Sequence, residues 1–366
     1  MHYSELPTPA LTIDLNILDR NLDRMARYCG QHNVGLRPHT KTHKTTEIAR
    51  MQLDRGAVGL TVAKTGEAEV MAGAGLDDIL LAFPVLGQEA VRRLANLTVG
   101  RRLLISLDNE ITAQALSDAM AELDAESSLG VLVEFDAGLG RCGLPPGPAL
   151  VELAQKIEKM PRLLFEGLMS FFGNVWGPEE ERKKSVKQVA ERVEISLEAF
   201  RKGRMPVKIV SGGSTPSAAF AHEIPGLTEI RPGTYVFNDL NTFYQGACKI
   251  EDCAVRVVTR VVSTAVSGRA MVDAGSKALS SDCLLSGPKT GHGLVTENPD
   301  IRLIGLSEEH GHLDVTNVAR KLRVGDVLSI IPNHVCTCVN MHDDVFLLRN
   351  GEVVGSWRIA ARGKIR

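Results

Sequence analysis

The sequence predicts a (β/α)8 TIM barrel followed by a C-terminal antiparallel β domain, and three observations carry that prediction. Between residues 35 and 231, eight short apolar segments alternate with stretches of helical period. Beyond about residue 245 the texture changes to β-branched runs separated by turn residues, with no long helical period. The chain of 366 residues accommodates a barrel of usual size, roughly 250 residues, and leaves a further domain.

Taken in order, residues 11–15 form an apolar run ahead of an amphipathic helix over 16–29. The eight barrel strands are then read at 35–37, 58–62, 79–83, 103–107, 131–135, 164–170, 207–210 and 229–231. Helices are expected at 46–55, 66–73, 88–97 and 111–123, from Pro148 onward, over the charged stretch 179–201, and briefly at 216–222. Alternating βα units imply parallel strands with right-handed crossovers; a doubly wound open sheet has the same local pattern, and the strand count favours the barrel. The β domain is read from strands at 255–262, 270–272, 327–331, 345–348 and 352–354, with Arg349-Asn350-Gly351 as a hairpin turn. The expected division is 1–245 for the barrel and 246–366 for the β domain, the extreme N-terminal strand joining the latter.

Composition narrows the function classes. Hydrophobic residues make up 44% and charged residues 23%, which excludes intrinsic disorder. With 42 Lys+Arg against 44 Asp+Glu the net charge is -2, so no basic stripe for nucleic acid is expected; the cluster Glu181-Arg182-Lys183-Lys184 reads as a solvated helix face. No apolar run reaches the ~18 residues of a membrane span, and the N-terminus lacks the pattern of a signal peptide. Seven scattered cysteines, an odd number, argue against a disulfide framework and for a reducing, cytoplasmic setting.

In barrel enzymes the chemistry sits on the loops after the strands. The first strand is followed by Pro38-His39-Thr40-Lys41-Thr42-His43-Lys44 and the fifth by Asp136-Ala137-Gly138-Leu139-Gly140-Arg141-Cys142-Gly143. After the seventh and eighth come Ser211-Gly212-Gly213-Ser214-Thr215 and Arg231-Pro232-Gly233-Thr234-Tyr235. Glycine-rich loops at the last two strands suit a phosphate, because the backbone approaches closely and N–H and hydroxyl groups complement the anion. Without a nucleotide-type glycine motif, the ligand is a small phosphorylated molecule. Lys41, with His39, His43 and Lys44 nearby, is placed where a lysine of lowered pKa forms a Schiff base.

These segments, with Asp273-Ala274-Gly275, Ser307-Glu308-Glu309-His310-Gly311, Pro332-Asn333-His334-Val335-Cys336 and Asn340-Met341-His342-Asp343, resemble the alanine racemase-like, fold-type III pyridoxal-phosphate enzymes, and within them the D-threonine aldolase and D-serine dehydratase family. The resemblance implies that Lys41 carries pyridoxal 5'-phosphate and acts as the catalytic base. It places Gly212, Gly213, Gly233, Thr234 and Tyr235 at the phosphate, with Ser211, Ser214 and His39 alongside, and Arg141 by the cofactor ring. A homodimer is implied in the same way. His334 and Cys336 are two residues apart and face the same way if on a strand. By spacing alone they are equally two core residues; by the resemblance they are the ligands of a catalytic Zn2+, with Mn2+ or Co2+ as alternatives. Cys338, on the same face, is expected to be a bystander.

Within the resembled family, aldolases place Asp two residues after the metal-binding His and a His in the loop after the sixth strand. Here Cys336 and Phe172 stand at those places. Both features point to β-elimination from a D-3-hydroxy amino acid, D-serine first, to an oxo acid and ammonia. Retro-aldol cleavage of D-threonine is the alternative. An amino-acid racemase has no use for the metal pair, and a non-catalytic pyridoxal-phosphate carrier has no use for the β domain.

Overall fold

A computed structural model describes residues 1–123, 126–285, 287 and 291–366. The first apolar run is strand β1 (Ala10–Asp14), followed by helix α1 (Leu15–His32). All eight expected barrel strands form: β2 (Gly35–Leu36), β3 (Leu60–Val62), β4 (Asp78–Leu81), β5 (Arg102–Leu107), β6 (Leu129–Glu134), β7 (Leu163–Met169), β8 (Ile209–Gly212) and β9 (Glu229–Ile230). They pair in parallel in the order β2-β9-β8-β7-β6-β5-β4-β3. The ends of that row meet beyond β2: His39 bridges Thr61, and the Thr40 N–H donates to the Thr61 carbonyl at 2.8 Å. The sheet therefore closes into a barrel.

The helices between strands are α2 (Thr46–Asp54), α3 (Thr65–Gly73), α4 (Gln88–Leu97), α5 (Glu110–Ala121), α6 (Pro148–Ile157) and α7 (Glu179–Lys202). Between β8 and β9 the expected helix is a 3-10 turn, Ala218–Glu223, hemmed in by Pro216 and Pro225, which disfavour helical backbone in the residues before them. Every residue of β6 is buried, as parallel strands covered on both faces require. Leu80, Leu104, Leu132 and Met169, from four successive strands, share one apolar cluster.

The barrel interior also holds charge. Arg37, almost completely buried, donates from Nε to both carboxylate oxygens of Glu229 at 2.9 Å and from Nη1 to Asp78. Removing one partner of a buried pair leaves the other uncompensated, typically at a cost of about 3–5 kcal/mol. Arg37→Ala is expected to lower stability by that order, read as a drop in the denaturant midpoint, whereas Arg93→Ala, which breaks a half-exposed pair with Glu69, should cost under about 1 kcal/mol.

The β domain contains β10 (Val255–Ser263), β11 (Arg269–Val272), β12 (Gly293–Val295), β13 (Arg302–Leu306), β14 (Gly311–Asp314), β15 (Val327–Pro332), β16 (Asp344–Arg349) and β17 (Glu352–Arg358). Strands β10, β11, β14, β13, β12 and β15 close a six-stranded antiparallel ring, because β11 pairs with both β14 and β10. β1 lies beside β10 and continues the sheet into β16 and β17. The β16–β17 hairpin turns through Asn350 (φ 54°) and Gly351 (φ 82°), the left-handed pair such a turn requires. β12, β13 and β14 escaped sequence reading because each is short and contains glycine or charge where apolar alternation would show. The described residues of this domain also form three short α-helices: α8 (Leu240–Tyr244), α9 (Ser276–Leu279) and α10 (Val335–Val339).

Two compact units result. One comprises Met25–Lys41, Ile48–Gly233 and Lys364–Arg366 and holds the barrel; the other comprises Met1–Arg24, Thr42–Glu47 and Thr234–Gly363 and holds the β domain. No helix among the described residues is long and apolar enough to cross a membrane.

Candidate active site

Lys41 stands at the barrel mouth, just beyond the bridge that closes the sheet. Its backbone N–H donates to His39 Nδ1 at 3.4 Å, so His39 shapes the loop that carries the lysine. The Lys41 ammonium lies 5.7 Å from the centre of the Phe171 ring, and the Arg141 guanidinium lies 4.7 Å from the same ring.

Phe172, expected where aldolases carry a proton acceptor, is instead buried, and its ring packs so closely on Gly212 that an added Cβ there would lie 2.3 Å from Cζ. Successive side chains leave an extended backbone on opposite sides, so Phe171 faces the lysine when Phe172 faces the core. The ring beside the Lys41 ammonium is Phe171, the chain neighbour of Phe172.

Arg141 is delivered by the loop after β6. Asp136 Oδ1 accepts the N–H groups of Gly138 (2.9 Å), Leu139 (2.9 Å) and Gly140 (3.0 Å). Burial pushes the Asp136 carboxyl up, but these three donors outweigh it and hold it below the usual range.

β8 and β9 are neighbours, with Ser211 opposite Glu229 and Gly212 opposite Ile230, so the Gly212–Ser214 loop and Gly233 leave the sheet side by side. Gly213 adopts φ +94°, open to glycine and strained for other residues. This close backbone turn fits an anion. Ser211 donates to Glu229 Oε1 (2.7 Å) and accepts from Arg231 Nη1 (2.7 Å), while Ser214 donates to the Phe172 carbonyl (3.1 Å). Ser211 thus points to the buried Glu229 and Arg231, and Ser214 braces its own loop. Thr234 and Tyr235 continue the chain in a 3-10 turn, with Tyr235 buried.

Sequence reading passed over Arg231 and Glu134. Arg231 is buried and donates to Ser211 and to the Ser170 carbonyl at 2.8 Å. Burial pulls its guanidinium down to about 10 against the attraction of Glu229 and Glu134, with Arg37 and Arg141 adding repulsion. Burial raises Glu134, which Ser106 partly relieves by a 3.0 Å hydrogen bond. The signal was available: the arginine of an Arg-Pro-Gly run at the end of an apolar strand.

His334 and Cys336 come together, though not on a strand. β15 ends at Pro332, His334 is the extended residue that begins α10, and Cys336 lies in the helix's first turn. The reason is Asp239, fully buried, whose Oδ2 accepts the Val335 N–H (3.0 Å) and His334 Nδ1 (3.0 Å). A carboxylate only accepts, so Nδ1 carries a proton in this bond. The Cys336 sulfur lies within hydrogen-bond range of this imidazole and 3.2 Å from the hydroxyl of Thr42, the residue after Lys41. Thr234 Oγ1 is 3.9 Å from the same sulfur. Burial pushes the imidazole down, but Asp239 and Cys336 outweigh it and raise it to about 11.

Among the described residues, no group of three or more His, Cys, Asp or Glu side chains gathers as a closed metal cage would need. Cys338 and His342 are both committed to the Ala278 carbonyl, at 3.2 and 2.9 Å, and burial pushes the Cys338 thiol up to about 12.

Residues 13–240 match the family described as alanine racemase, N-terminal domain, and residues 254–348 that described as putative serine dehydratase domain. The chain is 32% identical to a D-threonine aldolase of an Arthrobacter species over 98% of its own length and 94% of the relative's. The D-threonine aldolase structure of Filomicrobium marinum superposes with a TM-score of 0.92 at 32% identity, covering 100% of this chain and 98% of that one. D-threo-3-hydroxyaspartate dehydratase from Delftia sp. HT23 gives 0.90 at 30% identity, with 98% of each chain covered, and a cysteine-to-alanine variant of D-threo-3-hydroxyaspartate dehydratase has been solved in a metal-free form. With both halves matched in order and relatives aligned almost end to end, the chain belongs to the alanine racemase-like, fold-type III pyridoxal-phosphate family that contains the D-threonine aldolases and D-serine dehydratases.

Proposed function

We propose that this protein is a lyase of D-3-hydroxy amino acids, that it uses pyridoxal 5'-phosphate on Lys41 and zinc on His334 and Cys336, and that it dehydrates D-serine to an oxo acid and ammonia. The observation that carries the dehydratase reading is the lining around Lys41. Retro-aldol cleavage needs a group to take the β-hydroxyl proton. The segment Phe171-Phe172-Gly173-Asn174 offers two apolar rings and an amide whose Nδ2 donates to the Ala137 carbonyl at 3.2 Å. Cys336 rather than Asp beside His334 supports the same choice.

When bound, pyridoxal phosphate withdraws electrons from the substrate Cα and zinc polarises the β-hydroxyl as a leaving group. Lys41 Nζ takes the α-proton, with the Phe171 ring centre 5.7 Å from it and the Arg141 guanidinium 4.7 Å from the same ring. Phe171 keeps water from that side of Nζ. Gly212, Gly213 and Gly233 bring backbone close to the phosphate. His334, its Nδ1 proton held by Asp239, offers Nε2, and Cys336 offers sulfur.

Retro-aldol cleavage is the second reading, favoured by the two aldolases at 32% identity. One substrate separates them. Incubated with D-threonine, pyridoxal phosphate and zinc, the protein is expected to release 2-oxobutanoate and ammonia, identified by chromatography of the derivatised oxo acid. Glycine and acetaldehyde in their place would establish the aldolase.

A further inference from the structure

We infer that Asp239 is a positioning residue that orients His334 toward the metal, an inference that rests on His334 and Cys336 being metal donors. Asp239 begins α8 and His334 begins α10, 95 residues further along the chain. One carboxylate joins these two helix starts, and each of its oxygens has a separate task. Oδ1 accepts the Thr242 N–H at 2.8 Å and lies 2.9 Å from the Thr242 hydroxyl, and the Asp239 N–H donates back to that hydroxyl at 2.8 Å, which closes a capping box and restrains the carboxylate. Oδ2 accepts from the Val335 backbone and from His334 Nδ1, both at 3.0 Å.

An imidazole is free to flip about its χ2 bond and to carry its proton on either nitrogen. The fixed acceptor at Nδ1 removes both freedoms and makes Nε2 a better donor. The Val335 bond adds a second constraint, since it pins the backbone that carries both His334 and Cys336. A buried carboxylate serving only as a cap for five-residue α8 would need no partner on α10.

Asp239→Asn keeps the size of the side chain and removes its charge and one acceptor. Zinc alone, titrated into the protein against a chelating indicator, is expected to bind the variant about 10–100-fold more weakly than the parent, the usual effect of losing such a partner. Thermal unfolding of the zinc-free proteins is measured alongside. Equal zinc affinity in a folded variant would overturn the inference and leave Asp239 a helix cap. A parent protein that binds no zinc would overturn the metal reading itself, so the two failures are distinguishable. Should the variant not fold, nitrogen-detected NMR of the histidines in the zinc-loaded parent decides: the inference requires a proton on Nδ1 and zinc on Nε2 of His334, and zinc on Nδ1 refutes it.

Discussion

Lys41→Ala is expected to lose at least about 1,000-fold in turnover, within the range that a single proton-transfer group supplies, and to lose the visible absorbance of the bound cofactor as well. In the proposed mechanism the two losses have one cause, because the same Nζ would hold the cofactor and take the substrate α-proton. Its surroundings are built for that. The Phe171 ring lies 5.7 Å away, Arg141 shares the ring, and the loop is shaped by the His39 ring. Lys41→Arg serves as the control: it restores the charge against Phe171 but neither the nucleophile nor the base, and should be as inactive as alanine. A Lys41→Ala protein that keeps its absorbance and more than a tenth of its turnover would remove Lys41 from the mechanism.

The second large effect is expected at the metal pair. His334→Ala and Cys336→Ala should each abolish stoichiometric zinc binding while leaving cofactor absorbance intact, and should slow elimination roughly 100- to 1,000-fold, equivalent to several kcal/mol of lost leaving-group polarisation. Chelation of the parent protein should mimic the variants, and added zinc should reverse it. Cys338→Ala is the control, since that sulfur is turned to the Ala278 carbonyl and should not alter zinc content. Activity that survives chelation would instead favour a metal-free reaction such as racemisation.

The barrel was legible to within a few residues at every strand because parallel strands buried on both faces are unbroken apolar runs, and the helices between them carry their own period. The β domain was half legible. β10 and β15 have β-branched runs, whereas β12, β13 and β14 owe their strand state to partners far away in sequence and carry glycine at Gly293, Gly305 and Gly311. At the site, residue types in family order singled out Lys41, Arg141, His334 and Cys336 as candidates. Sequence reasoning missed Asp239, Arg231 and Glu134, whose roles come from contacts across the fold.

By itself the sequence determined the alternation of strands and helices, the lysine after the first barrel strand, the glycine loops after the last two, and the imidazole–thiolate pair. Each is a matter of residue type and short spacing, which local chemistry decides. Only the tertiary structure decided which side chains those groups face: that Phe171 and not Phe172 meets Lys41, that Ser211 serves Glu229 and Arg231, and that His334 begins a helix rather than lying on a strand. The physical reason is the same in each case. Orientation is set by partners distant in sequence, as when Asp239 draws in both the ring of His334 and the N–H of Val335.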